Sequence, residues 1–166
     1  MPQQERADYK DDSVVQLAVF LLDNQLYGID INKIKQIIRP LKITPLPHAP
    51  DFLEGVVDLR GVVIPVVDMR KRFSLPALGE DKERKVIIVS VSRKILGIMV
   101  DDVTEVISMS KSDLQPPPRV IRGVEADYLN AVARYKEDIL LILNLDEILT
   151  SEEKVSLETV GGKKKT

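Results

Sequence analysis

Apolar positions run through the same order twice in this chain. Leu26-Tyr27-Gly28-Ile29-Asp30-Ile31-Asn32-Lys33-Ile34-Lys35-Gln36-Ile37-Ile38 returns as Leu96-Gly97-Ile98-Met99-Val100-Asp101-Asp102-Val103-Thr104-Glu105-Val106-Ile107. With Gly28 laid on Gly97, apolar falls on apolar at Ile29/Ile98, Ile31/Val100, Ile34/Val103, Ile37/Val106 and Ile38/Ile107. A second pair follows, Val62-Val63-Ile64-Pro65-Val66-Val67-Asp68-Met69 and Ile139-Leu140-Leu141-Ile142-Leu143-Asn144-Leu145-Asp146. Two copies are too few for a solenoid, which needs at least three. Two small units packed on each other is the better reading. Units of about 70 residues are marginal alone, so each should lean on the other across an apolar seam.

The pattern predicts mostly short strands. Gln16–Leu22 and Leu26–Ile31 flank the turn-formers Asp23-Asn24-Gln25 and read as a hairpin. From Ile31 the spacing changes to Ile31, Ile34, Ile37 and Ile38, which predicts a short helix or turn with Asn32 as its cap. Pro40 ends it, and Pro45, Pro47 and Pro50 keep the next stretch irregular. Gly55–Val67 reads as two strands turning near Arg60-Gly61, with Pro65 at an edge or bulge. Asp68 opens a short helical stretch through Phe73, and Leu78–Lys85 is a charged linker between the units. The second unit repeats the plan with strands at Lys85–Val91 and Ile95–Val100 and a helical turn near Asp102–Val106. Ser108–Tyr128 is expected as a loop, Leu129–Tyr135 and Ile139–Leu143 as strands, and Asp146-Glu147-Ile148-Leu149 as the start of a closing helix. Many short strands between turn signals suggest small barrels.

Composition narrows the function. At 44% hydrophobic and 30% charged, the 166 residues are those of an ordinary globular chain. A formal net charge of −2 gives no general pull towards nucleic acid or anionic membranes. Without cysteine there is no disulfide, thiolate catalysis or cysteine-held metal. No apolar run of about 18 residues occurs, and the polar first dozen residues hold no apolar core of a secretory signal. The charged lead-in at 8–12 and the basic tail at 161–166 read as loose ends.

Catalytic chemistry is hard to find. The one histidine, His48, stands among prolines and cannot form a two-histidine metal site. Asp101-Asp102 is the best carboxylate pair, but neighbouring strand residues point to opposite faces, and a strand end plus a helix cap explains it. Phosphate-cradling glycine motifs are missing, and aromatic residues make up only 4%, too few for base-stacking platforms. A carboxylate hydrolase centred on Asp101 and Asp102, or a small nucleic-acid-binding barrel, remain the alternatives. The reading drawn from the residues is a non-enzyme without metal or cofactor, whose repeat-equivalent apolar residues either hold the core or line a groove for a partner helix. Arg60, at a turn in an apolar double strand, is either a solvated tip or a donor fork for a partner.

These residues resemble the CheW family of bacterial chemotaxis coupling proteins. The resemblance rests on Tyr27-Gly28-Ile29-Asp30-Ile31, Ile43-Thr44-Pro45-Leu46-Pro47 and above all Phe52–Met69 with its Leu59-Arg60-Gly61 and Pro65-Val66-Val67-Asp68. Val100-Asp101-Asp102-Val103 and Ile142-Leu143-Asn144-Leu145-Asp146 follow in order, so roughly Val15 to Glu152 is covered. It implies a mainly β fold of two pseudo-symmetric five-stranded SH3-like barrels sharing a hydrophobic interface. One domain over 1–152 would comprise intertwined subdomains at approximately 15–80 and 84–150, with tails at 1–13 and 153–166. It also implies a cytoplasmic, non-catalytic adapter recruited to membrane-associated arrays without inserting in the membrane or binding nucleic acid. The implied partners are the cytoplasmic hairpin of chemoreceptors and the regulatory domain of the histidine kinase CheA. Carried over, the receptor groove would use Ile31, Ile34, Ile37, Arg60 and Val103, and the kinase-facing surface Ile43, Thr44, Leu46, Gly55 and Gly61. Asp58 and Gln36 depart from the asparagine and the acid that many relatives carry, so position 36 offers Arg60 no ionic partner. Ending shortly after Glu153, the chain fits a stand-alone coupler better than the longer CheA or CheV proteins.

Overall fold

Tight two-residue turns organise the structure, a computed structural model that describes residues 13–39, 42–79, 83–121 and 124–149. β1 (Val14–Leu22) and β2 (Gln25–Asp30) join through Asp23 and Asn24, at φ of 52° and 66°. After β3 (Ile34–Ile38), β4 (Leu53–Leu59) and β5 (Val62–Asp68) join through Arg60 and Gly61, at 56° and 86°. β6 (Lys85–Val91) and β7 (Lys94–Val100) join through Ser92 and Arg93, at 51° and 68°. β8 (Asp102–Ser110) and the short pair β9 (Val120–Ile121) and β10 (Val124–Glu125) precede the last hairpin. There β11 (Leu129–Tyr135) and β12 (Asp138–Leu143) join through Lys136 and Glu137, at 53° and 73°. Positive φ at both central residues gives the turn a twist that matches its strands.

The ten longer strands make two sheets of five, β11-β12-β2-β1-β8 and β4-β5-β7-β6-β3. Under the sequence repeat the two orders are identical: β1 answers to β6, β2 to β7, β3 to β8, β4 to β11 and β5 to β12. Each sheet is centred on a parallel contact between its two hairpins, β12 with β2 and β5 with β7. The sheets do not follow the expected division at 15–80 and 84–150. One takes all its strands from 34–100, and the other combines 14–30 with 102–143. The chain crosses from one sheet to the other after β2 and again after β7.

Each sheet rolls around its own apolar cluster. Leu17, Val19, Ala131, Ala133, Leu140 and Ile142 fill the first, with Ile107 and Met109 of the opposite edge strand packed on them. Tyr135 Oη donates to Glu105 Oε2 and ties edge strand β11 to edge strand β8. Val57, Ile64, Val66, Val86, Ile88 and Met99 fill the second, and Ile38 and Leu59 of its two edges pack there. The remaining faces meet in a larger cluster that includes Phe20, Leu22, Tyr27, Ile29, Ile87, Val89, Leu96 and Ile98. Burial on both faces explains why Leu17–Phe20 and Val86–Val89 are apolar without alternation. This shared cluster is the seam expected between the units.

Most strand expectations hold within a residue or two, and so does the helix after Asp68. α1 (Met69–Arg72) begins where the Asp68 carboxylate accepts the N–H groups of Arg70 and Lys71. Pro65 sits in β5 opposite Val56, where parallel pairing with β7 has not yet begun, so it meets the ladder on one side only. Of the short helix or turn expected from Ile31, a single 3₁₀ turn forms at Ile31–Lys33, and Ile34–Ile38 is corrected to strand β3. The turn's cap is Asp30, whose Oδ1 accepts the Asn32 N–H, and not Asn32 itself. The helical turn expected near Asp102–Val106 is strand β8 throughout. Ser108–Tyr128 is not all loop, because β8 runs to Ser110 and 3₁₀ turns stand at Lys111–Asp113 and Ala126–Tyr128. The closing helix is a 3₁₀ turn, Leu145–Glu147, as far as residue 149. The segments 8–12, 80–82 and 150–166 of the expected lead-in, linker and tail lie outside the described residues.

Candidate protein-binding surfaces

The spacing that suggested a helix at Ile34 and Ile37 is produced by a β-bulge. On β3, Ile34 pairs with Val89 and Gln36 with Ile88, so Lys35 is an extra residue. Ile37 then pairs with Ile87. Val89 and Ile87 both belong to the shared core, so Ile34 and Ile37 lie on one face although three positions apart. β8 repeats the device. Val103 pairs with Phe20 and Glu105 with Val19, leaving Thr104 extra, and Val106 pairs with Ala18. The Thr104 hydroxyl donates to the Val19 carbonyl at 3.1 Å, which satisfies a backbone group at the irregularity.

Both β3 and β8 are sheet edges, so this face runs off the shared core into solvent. Ile34 and Val103 pack against the core cluster itself, whereas Ile37 and Val106 are 40% and 52% exposed. Ile31 is half-buried in the 3₁₀ turn between β2 and β3. Of the five expected groove residues, Ile34 and Val103 are therefore partly open residues packed on the core, and Ile37 is exposed. Val106, paired with Ile37 by the repeat but left out of the expected site, is exposed on the same face.

Arg60 occupies the exposed tip of the β4–β5 hairpin in the left-handed region. Among the described residues it makes no hydrogen bond or ion pair, and its donor fork is free. Asp58 Oδ1 accepts the Gly61 N–H at 2.8 Å and fixes the turn that carries it.

The other expected surface is built on Gly55. Thr44 and Val56 exchange two backbone hydrogen bonds, of 2.8 and 2.9 Å, and add a one-residue bridge to edge strand β4. Gly55 has φ of 154°, and a Cβ there would stand 2.3 Å from the Thr44 carbonyl oxygen and 2.9 Å from Ile43 Cγ2. Only glycine lets the segment come so close. Ile43 packs on the inner cluster of the second sheet, Leu46 packs on the shared core, and Thr44 between them is exposed. Gly61 lies at the far end of the hairpin from Gly55, so the five expected residues form a short ridge and a distant tip. The bridge recurs in the first sheet as Gln115 with Val132. Ile43-Thr44-Pro45 and Leu114-Gln115-Pro116 share an apolar-polar-proline pattern that could have revealed it.

Asp101 and Asp102 do not form a reactive pair. Arg70 grips Asp101 with two hydrogen bonds of 2.7 Å, from Nε to Oδ1 and from Nη2 to Oδ2. The Asp23 amide donates to the same Oδ2 at 2.8 Å. Burial pushes the Asp101 carboxyl up, but these donors and the charges of Arg70 and Arg84 outweigh it and hold the group below its ordinary range. Asp102 turns to Lys85 at 2.8 Å, and that hydrogen bond chiefly lowers its carboxyl. Each acid is committed to a separate ion pair, so the hydrolase alternative loses its site. Asp101 links β7 to β8, without the helix cap once expected. Arg70 on α1, Asp101 at the crossover and Asp23 in the β1–β2 turn together pin the two sheets.

The CheW-like domain model matches residues 16–153. The chain belongs to the CheW family. It is 35% identical over 147 residues to the chemotaxis protein CheW of Treponema pallidum, covering 86% of each chain. It is 32% identical over 143 residues to that of Klebsiella aerogenes, again with 86% of each covered. The crystal structure of the scaffolding protein TtCheW from Thermoanaerobacter tengcongensis superimposes with a TM-score of 0.78 at 31% identity, over 85% of this chain and 97% of that one. The CheW-like chain is therefore a chemotaxis scaffold and not an enzyme. Among the described residues no helix is long and apolar enough to cross a membrane.

Proposed function

We propose that this CheW-like protein couples chemoreceptors to the histidine kinase CheA within cytoplasmic signalling arrays. A receptor hairpin tip would lie along the face that β3 and β8 carry past the shared core, on Ile31, Ile34, Ile37 and Val103, with Arg60 as a polar contact. The kinase regulatory domain would meet the ridge of Ile43, Thr44 and Leu46 that Gly55 permits, and the turn at Gly61. The observation that carries the reading is the doubled bulge. It spends an irregularity in each edge strand to bring a second apolar residue onto a solvent-facing strip, which packing alone does not require. Two preformed surfaces on one rigid body would hold receptor and kinase in fixed geometry, and array-wide multivalency would make up for weak single contacts.

The test is reconstitution. The chain is mixed with a receptor hairpin fragment and a CheA regulatory domain, and ternary assembly is followed by sedimentation. Assembly that survives Ile37→Asp but fails with Thr44→Arg would assign only the kinase face. Assembly that survives both would overturn the reading.

A further inference from the structure

The repeat allows one end of each barrel to be compared with the other within a single molecule. In the first sheet that end is open: a cavity of about 570 Å³ is floored by Leu17 and Ile142 and rimmed by polar residues. Val15 and Asn144 both line it. Under the alignment of Gly28 with Gly97, Val15 answers to Arg84. Under that of Leu53 with Leu129, Asn144 answers to Asp68. In the second sheet Arg84 and Asp68 are joined, Nη1 to Oδ1 at 3.3 Å and Nη2 to Oδ2 at 3.4 Å, with side-chain exposures of 19% and 5%. Where one barrel has a paired guanidinium, the other has a shorter valine.

The rest of the backbone frame is retained. Asn144 Oδ1 accepts the Asp146 N–H as Asp68 Oδ1 accepts that of Arg70. The charges around it differ. Asp30 lines the cavity where the second sheet has Met99, and Asp146 where it has Arg70. Asp30 Oδ1 is taken by the Asn32 amide and Asp146 Oδ1 by the Ser92 hydroxyl, while neither Oδ2 has a donor among the described residues. Lys33 shares the mouth but pairs with neither acid, so two aspartates stand against one lysine.

We propose that this cavity is a docking site for an arginine side chain of a partner protein. The guanidinium would take in trans the place that Arg84 fills in cis in the other half, facing the Asp30 and Asp146 carboxylates with the Asn144 carboxamide beside them. Charge-assisted hydrogen bonds to a planar donor fork suit this arrangement better than a lysine would. The cavity borders the β3–β8 strip, since Asp30 and Lys33 adjoin Ile31 and Ile34 in sequence, but arginine docking there does not rest on the receptor reading.

The experiment titrates the full ¹⁵N-labelled chain with acetyl-Gly-Arg-Gly-amide and with its citrulline counterpart, which keeps the shape and loses the charge. Saturable shifts at the amides of Asn130, Ala131, Asn144 and Asp146 are expected with the arginine peptide, and affinity about tenfold lower with citrulline. Asp146→Asn should weaken the arginine peptide severalfold. The double change Val15→Arg with Asn144→Asp installs the ion pair of the second barrel and should abolish binding while raising Tm. Equal response to citrulline, or shifts confined to other regions, overturns the proposal. Should the double variant misfold, an Asp146→Asn chain that binds as tightly as the parent overturns it as well.

Discussion

Lys35 and Thr104 hold the same place in the two sheets, each the extra residue of a bulge in an edge strand. Through them Ile37 and Val106 come round to the face of the shared core while staying 40% and 52% exposed. Ile37→Asp and Val106→Asp should therefore weaken receptor-hairpin binding at least tenfold, about 1.4 kcal/mol, with little change in thermal stability. Ile34→Asp is a poorer probe than its position in the sequence suggests. Ile34 packs against the shared core, so a charge there should lower Tm as well as affinity. Binding by fluorescence anisotropy beside a thermal melt for each variant separates the two effects.

Arg70 is the fastening between the sheets. Its side chain is 7% exposed and that of Asp101 15%, so removing one partner leaves the other buried without compensation. Arg70→Met should cost about 3 kcal/mol in chemical denaturation. Adding Asp101→Leu should recover much of that loss, because the second change removes the orphaned charge.

The same pair fixes an acid limit. Asp101 titrates below its ordinary range when folded, so its contribution is complete above the unfolded value of about 3.9 and is lost as pH falls through the lower folded value. Asp102, lowered by Lys85, adds in the same direction. Denaturation midpoints should therefore fall below about pH 4, and Asp101→Asn should flatten that decline. An unchanged acid slope in Asp101→Asn would show that other carboxylates set the limit.

The legible and illegible parts of this fold differ in range. Strand pairs such as Gln16–Leu22 with Leu26–Ile31 could be read because a local turn and an apolar run specify a hairpin together. The short helix or turn read from Ile31 held only as the turn at Ile31–Lys33, because a bulged strand also repeats apolar residues at intervals of three, and β-branched side chains favour the strand. The doubled sequence showed that two units exist but not that each sheet is completed from both halves of the chain. The partners of Arg70 were invisible for a similar reason: Asp101 lies 31 positions away and nothing local points to it. Within the candidate site, the repeat named the equivalent pairs, and only burial separated core-packed residues such as Ile34 from exposed ones such as Val106.

Gly55 should be intolerant of any side chain. A Cβ would stand 2.3 Å from the Thr44 carbonyl oxygen at φ of 154°, so Gly55→Ala must displace the bridge or strain β4. A loss of about 1–3 kcal/mol is expected, and loss of amide protection at Thr44 and Val56 should accompany it in hydrogen exchange. A purely global destabilisation, with the bridge protected to the same extent as the core, would contradict this account. If the ridge is the kinase-facing surface, the variant should also bind the CheA regulatory domain more weakly than its stability loss explains.

Arg60 permits stability and binding to be pulled in opposite directions. At φ of 56° it carries the cost of a left-handed residue, about 1–2 kcal/mol, which glycine avoids. Its guanidinium has no partner among the described residues, so the fold loses little with it. Arg60→Gly should therefore hold or raise Tm, and Arg60→Ala should leave it nearly unchanged. If the donor fork reaches a receptor carboxylate or carbonyl, both variants should lose receptor coupling to the same degree. Kinase activation in reconstituted arrays measures that loss directly. Coupling that follows Tm, failing in one variant and not the other, would mark Arg60 as a turn residue only; equal failure at unequal stability would mark it as a contact.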